Sequence, residues 1–254
     1  MIKKIVLLLV FFTLSNSAAQ DANQLFDKSN TLYKNADYNE AIKLYEQIEA
    51  SGEVSSELYY NLGNSYYKIN KVGPSIYNYE KALLLDPLNE DAHNNLIFAK
   101  RLSLDRIEEL PKSTLQKFNK KYISKLSYDQ WATLTVVFSF LASCLFLMYY
   151  FSQTPSLKRL FFTTSIISVI LLISTLLITV NQYKKASNTI EAIVFATEVS
   201  VKNEPTKNAE EAFILHEGTK VFVLDEVDDW KKIKLIDGKI GWLKSQQINI
   251  LNLF

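Results

Sequence analysis

Hydrophobic residues follow three rhythms along this chain, and each rhythm predicts a different kind of element. Between residues 22 and 110 they recur at helical spacing, as at Ala41, Ile42, Tyr45 and Ile48, and again at Ile76, Tyr79, Ala82 and Leu83. Residues 131–151 and 160–180 are two apolar stretches without a single charged side chain. A hydrocarbon core of about 30 Å needs roughly twenty apolar residues at about 1.5 Å each, so both predict membrane-spanning helices. Trp131, Tyr149, Tyr150 and Tyr183 stand near their ends, as interfacial aromatics do. Residues 152–159, carrying Pro155, Lys158 and Arg159, form the short connection of a helical hairpin. From residue 190 onward apolar and polar positions alternate, which predicts strands over 219–224 and 230–235. Asp237-Gly238 reads as a hairpin turn, and Gly241-Trp242-Leu243 opens the next strand.

The first residues have a different character. Lys3 and Lys4 precede the mostly apolar residues 5–14, and Ser17 and Ala19 supply small residues ahead of Gln20. Residues 1–19 therefore read as a cleaved secretory signal rather than a span; an uncleaved anchor leaves the next domain on the same side. No cysteine follows, so a lipoprotein signal is excluded.

Charge sharpens the division. The net charge of +1 hides an acidic segment at 20–110 with nine Lys/Arg against fifteen Asp/Glu. Residues 111–127 hold five lysines (Lys112, Lys117, Lys120, Lys121, Lys125) and no acid, and residues 186–254 hold eight lysines against eleven acids. Export by the signal puts residues 20–127 outside the cytoplasm, and the hairpin returns the tail to that side. The loop with Lys158 and Arg159 is then cytoplasmic, as the positive-inside rule prefers, but the five lysines are outside, which it disfavours. Residues 111–130 read either as a solvated linker or as a segment lying on anionic headgroups, with Leu115, Phe118, Tyr122 and Leu126 at helical spacing. The lipid bilayer is thus one expected partner.

A 34-residue offset aligns Tyr33 with Tyr67, Lys34 with Lys68, Ala41 with Ser75, Ile42 with Ile76, Tyr45 with Tyr79 and Glu46 with Glu80. Gly63 and Ala41 are small where paired helices cross closely. Pro74 stands at the start of a helix, where its missing N–H costs nothing, and Pro87 ends one. The stretch from Tyr59-Tyr60-Asn61-Leu62-Gly63 through Tyr79-Glu80-Lys81-Ala82 to Asp86-Pro87 resembles the tetratricopeptide (TPR) family. The resemblance implies helix–turn–helix units at 22–55 and 56–89, the first with Ser29 in place of the family's glycine. Residues 90–110 read as a capping helix, with His93 as a packing residue. By the same resemblance Tyr45, Tyr59, Tyr66 and Tyr79 pack the core. Phe26, Asn30, Tyr33, Tyr60, Asn64 and Tyr67 line a concave groove suited to an extended peptide. The carboxylate clamp of some members is not expected. Asn30 and Asn61 match its amides, but Phe26 occupies a basic position, and Asp91 and Asn95 replace a later basic pair.

In the tail, Leu215-x-x-Gly218-x-x-Val221-x-Val223, then Trp230-x-x-Ile233, then Asp237-Gly238-x-x-Gly241-Trp242-Leu243 is similar to the bacterial SH3-like domain. That implies a barrel of about five strands over residues 190–254, and a peptide or cell-wall partner. Trp242 is expected in its core. Trp230 suits either core or contact, and the two tryptophans are the candidate partner residues. Asp225-Glu226 and Asp228-Asp229 read as a solvated acidic loop.

Signs of chemistry are few. The near-neutral chain lacks the basic stripe of a nucleic-acid binder. A single cysteine, Cys144, excludes an intramolecular disulfide and a multi-cysteine metal site, and His93 and His216 are the only histidines. No phosphate loop, metal-ligand spacing or nucleophile triad occurs, and Glu108-Glu109 and Glu210-Glu211 lie in stretches expected to be exposed. An enzyme, a cofactor and a small-molecule substrate are not expected. Ser139 and Ser143, four residues apart, offer a small face for helix packing in the membrane.

The whole order (signal, two helical units with a cap, basic linker, two-span hairpin, SH3-like tail) resembles the BatE-type members of the Bacteroides aerotolerance (Bat) family. The fold class is then a multidomain membrane protein: all-α TPR-type repeats, a transmembrane hairpin and a C-terminal all-β SH3-like barrel. The resemblance implies an inner-membrane complex linked to oxygen tolerance, with both soluble modules periplasmic. Its expected partners are other Bat-type membrane proteins with von Willebrand A-type domains and a MoxR-type ATPase. The alternative is a peptidoglycan-binding protein that uses the barrel as its grip.

Overall fold

The computed structural model describes residues 22–251 apart from Glu109 and Lys112, with the Lys120 side chain left aside. The expected signal segment, Lys112 of the basic stretch and Glu109 of the acidic pair lie outside the described residues. The chain divides into two compact units, one formed by the segment up to Leu110 together with Glu191 onward, the other by Pro111–Ile190.

The first unit begins with five helices: α1 (residues 22–34), α2 (Tyr38–Ala50), α3 (Ser56–Lys68), α4 (Val72–Leu85) and α5 (Glu90–Leu102). The 34-residue offset is structural as well as sequential. Helices α3 and α5 start at residues 56 and 90, and α2 and α4 at residues 38 and 72, each pair one period apart. Ala36 (φ 65°) and Asn70 (φ 57°) close the turns after α1 and α3 in the left-handed region. The same bond follows in both turns, from Asp37 N to Leu32 O at 2.9 Å and from Lys71 N to Tyr66 O at 3.0 Å. Ser55 and Asn89 accept from the third residue onward, Leu58 N and Ala92 N, and so cap α3 and α5. Gly63 is required by close approach: a Cβ there would fall 2.6 Å from the Tyr79 ring.

Tyr66 packs against the helical core as expected and donates its hydroxyl to Glu46 at the surface. Two expectations are corrected here. His93 is exposed rather than packed. The capping helix stops at Leu102, and the residues after it leave helical geometry to run onto the sheet.

The sheet has seven antiparallel strands instead of about five: β1 (Ile190–Val194), β2 (Glu198–Lys202), β3 (Glu211–His216), β4 (Lys220–Val227), β5 (Trp230–Lys234), β6 (Ile240–Lys244) and β7 (Ile248–Ile250). Their order is β3-β2-β6-β5-β4-β1-β7. Val199, Val201, Leu215, Val221, Ile233 and Leu243 are at most 2% exposed and share one core. Ile107, Ala196 between β1 and β2, and Leu235 after β5 join that core from outside the strands. Gly241 and Leu243 face that core, so the alternation turns Trp242 to the opposite face, against the expectation of a core tryptophan. Asp228 (φ 50°) and Asp229 make the tight β4–β5 turn, and Glu226 on β4 pairs with Lys231 at 2.8 Å.

The second unit contains a short helix α6 (Thr114–Phe118) running into a π turn (Asn119–Ile123), then α7 (Tyr128–Phe151) and α8 (Pro155–Asn188). Helices α7 and α8 are long and apolar enough to cross a membrane. Pro155 sits at the start of α8, where no N–H is needed, so the connection is three residues rather than eight. The two helices meet through Ala142, Ser165, Ser168 and Thr175, and Ser168 Oγ donates to Phe138 O at 3.2 Å. Ser139 and Ser143 do not serve this contact. Both are exposed, and Ser143 bonds back to Ser139 O within its own helix.

Candidate functional site

Three surfaces of the first unit hold the candidate side chains. The first is the face made by α1, α3 and α5. Asn30 Oδ1 accepts from Tyr45 Oη at 2.6 Å and from Asn61 Nδ2 at 3.0 Å. One period later Asn64 Oδ1 accepts from Tyr79 Oη at 2.6 Å and from Asn95 Nδ2 at 2.8 Å. These four bonds tie each first helix to its own partner helix and to the next unit. The amide oxygens of Asn30 and Asn64 are thus engaged in holding the repeat together. The aromatic candidates sit differently. Phe26 packs edge-on to Tyr45 at 5.8 Å, Tyr33 edge-on to Tyr38 at 5.4 Å, and Tyr60 lies 6.2 Å from Tyr79. Phe26, Tyr33, Tyr60 and Tyr67 are each partly exposed along this face.

The period carries the face one step further than the sequence reading took it. Phe26 and Tyr60 are followed by Asn94, Asn30 and Asn64 by Phe98, and Tyr33 and Tyr67 by Arg101. All three α5 residues are exposed, with Phe98 51% accessible and the Arg101 guanidinium 5.1 Å from its ring. Treating residues 90–110 as a cap concealed them; extending the offset once more finds them.

The second surface is the outer face of β2, β6 and β5. Cross-strand pairing sets Lys202 opposite Trp242, Trp242 opposite Lys232, and Trp230 opposite Lys244. The two candidate tryptophans therefore share one face as diagonal neighbours, with the Lys232 ammonium 5.7 Å from the Trp242 ring.

The third is the junction of the helices and the sheet, which the sequence treats as separate modules. Ile76, Tyr79, Leu96 and Ala99 form one buried cluster with Ile193 and Leu251. Lys220 Nζ lies 2.9 Å from Glu80 and 2.7 Å from Glu191, and Lys100 reaches Glu80 at 2.7 Å. Burial pushes the Glu80 carboxyl up, but Lys220 and Lys100 together outweigh it and hold the group down at about 2. Burial likewise opposes the Lys220 charge, and Glu80 and Glu191 overcome it, raising that group above its ordinary value. Beyond α5, Asp105 takes Thr219 Oγ1 at 2.5 Å and both the backbone N and Nδ1 of His216 at 2.7 Å. Burial raises the Asp105 carboxyl, and these bonds reverse the shift to a net lowering. Gly73 N donates to Glu217 Oε1 at 2.9 Å, and Tyr77 stacks edge-on to Phe195 at 5.4 Å. A cleft of about 260 Å³ opens beside this contact, lined by Glu46, Glu49, Tyr66, Tyr77 and Phe195 among others. Its Glu49 carboxylate already holds Lys81 at 2.6 Å and Tyr59 Oη at 3.0 Å.

No three His, Cys, Asp or Glu side chains gather at metal-binding distance among the described residues. No protein-family model matches the chain, and no curated protein matches it either.

Proposed function

We propose that this protein is a membrane-anchored scaffold for protein–protein interaction. Its TPR-like helices take an extended segment of a partner along the α1–α3–α5 face, and its SH3-like sheet serves as a rigid second surface. The observation that carries the reading is the repeated aromatic face: side chains with large area and few rotatable bonds, held by a ladder of internal bonds, are what a peptide groove needs. Anchoring follows from α7 and α8, which are long and apolar enough to cross a bilayer. Two crossings return the chain to the side it left, as a unit assembled from residues before α7 and after α8 requires.

On the Bat-type resemblance, the partners are von Willebrand A-type membrane proteins, and the unit stands on the periplasmic side of the inner membrane. The test replaces Tyr33, Tyr67 and Arg101 by alanine together, leaving Asn30 and Asn64 to hold the fold. The triple variant is expected to stay in the membrane fraction, resist proteolysis as the native chain does, and lose the co-purified partner. Undiminished recovery of that partner contradicts the groove.

A further inference from the structure

The tail carries eight lysines against eleven acids, yet its charge is sorted by face. On β2, β5 and β6 the outward positions are Glu198, Ser200 and Lys202, then Trp230, Lys232 and Lys234, then Ile240, Trp242 and Lys244. Four of the eight lysines, both tryptophans of the sheet and an isoleucine that is 47% exposed thus share three adjacent strands with one glutamate. The register interleaves them. Trp242 stands between Lys202 and Lys232 across the sheet, Trp230 beside Lys244, and Ile240 beside Lys234. None of the four lysines meets a carboxylate within 4 Å among the described residues, whereas Lys220, Lys231 and Lys239 each do. Asp225 on β4, opposite Lys232, and Glu211 on β3, opposite Lys202, mark the two borders of the face. Packing does not require this arrangement, because the core is filled from the other face by Val201, Ile233, Gly241 and Leu243.

We infer that the outer face of β2, β6 and β5 docks on an anionic lipid surface, its lysines meeting headgroup phosphates and Trp230, Trp242 and Ile240 entering the interfacial layer. Lysine supplies a flexible cation with a long apolar stem, and tryptophan an amphipathic ring; together they match the boundary between headgroups and acyl chains. A lipid surface is favoured over another polyanion by connectivity: only Thr189 separates the end of α8 at Asn188 from the start of β1 at Ile190. The inference rests on the reading of α7 and α8 as membrane spans.

The test is lysine acetylation of the full chain reconstituted in vesicles, read site by site by mass spectrometry. Vesicles of phosphatidylcholine alone are compared with vesicles holding about 30% phosphatidylglycerol, and exposed Lys28 on α1 is the internal reference. Labelling of Lys202, Lys232, Lys234 and Lys244 relative to Lys28 should fall about fivefold in the anionic vesicles. It should recover in about 0.5 M salt, where charges are screened. Equal labelling in the two vesicles overturns the inference. Protection by soluble poly(U) but not by phosphatidylglycerol overturns it in favour of a nucleic-acid face. Release of the chain by alkaline carbonate would instead remove the membrane reading beneath it, an outcome scored separately before labelling begins.

Discussion

The two helical units are the same machine with different backs. Position by position, the residues that join α1 to α2 recur in α3 and α4: Ala41 and Ser75, Ile42 and Ile76, Tyr45 and Tyr79 are all buried, and the asparagine–tyrosine bond is 2.6 Å in both. The outward residues of the second helices diverge. Asn39 and Lys43 on α2 are exposed, and among the described residues Lys43 pairs with Glu40 of its own helix. Their counterparts on α4 are Gly73 and Tyr77, which receive Glu217, Phe195 and Ile250 from the sheet. Glu46 and Glu80 are the same residue type put to different use: Glu46 accepts a tyrosine hydroxyl, and Glu80 is clamped by two lysines, one of them from β4. Shared positions therefore build the helix pair, and divergent positions mark where another element docks.

The comparison can be broken most severely where the units agree. Tyr45→Ala and Tyr79→Ala each remove a fully buried ring and its hydrogen bond, and each is expected to cost about 3–5 kcal/mol. Thermal unfolding of the detergent-solubilised chain, followed by near-ultraviolet circular dichroism, checks this; a large difference between the two would deny the equivalence. A smaller effect separates the backs. Gly73→Val places a Cβ 2.8 Å from Glu217 Cγ and 3.1 Å from Val194 O, and should cost about 1–3 kcal/mol. Asn39→Val, at the matching exposed position, should stay within about 0.5 kcal/mol apart from helix propensity.

The junction also predicts a dependence on pH. The Glu80 group is lowered from 4.5 to about 2 in the folded chain. A depressed carboxyl stabilises the fold above its unfolded value and loses that contribution as pH falls toward the folded one. The melting temperature should therefore drop between pH 4.5 and pH 2, and Glu80→Gln should flatten that part of the curve. Asp105, also lowered, adds in the same direction at the other end of the junction. An unchanged slope in the Glu80→Gln chain would show that the clamp does not couple helices to sheet.

Much of this was readable beforehand, because short-range patterns carry it. The offset of 34 anticipated repeated helices before residue 110, and two uncharged runs anticipated α7 and α8 within a few residues at their inner ends. Strand alternation located β4 to β6. What escaped needed distant partners. Trp242 was expected inside because Gly-Trp resembles a core motif, yet Gly241 packs against Val201 and leaves the tryptophan outward. Asp105 and His216 are 111 residues apart, and no local rhythm announces their bond. Asn30 and Asn64 looked like groove residues because their positions face it, but a buried tyrosine hydroxyl takes their oxygens first.

The central claim is that one unit, built from both ends of the described chain, stands on one side of a membrane crossed twice. In a Cys144→Ala background, cysteines replacing exposed Lys28 and exposed Asn249 give one probe before the hairpin and one after it. Labelling intact spheroplasts with a membrane-impermeant maleimide should modify both, and a cysteine at Ser156 in the hairpin's first turn should react only after permeabilisation. Modification of Lys28→Cys and Asn249→Cys from opposite sides would contradict the account, because Glu80 and Lys220 could then never meet.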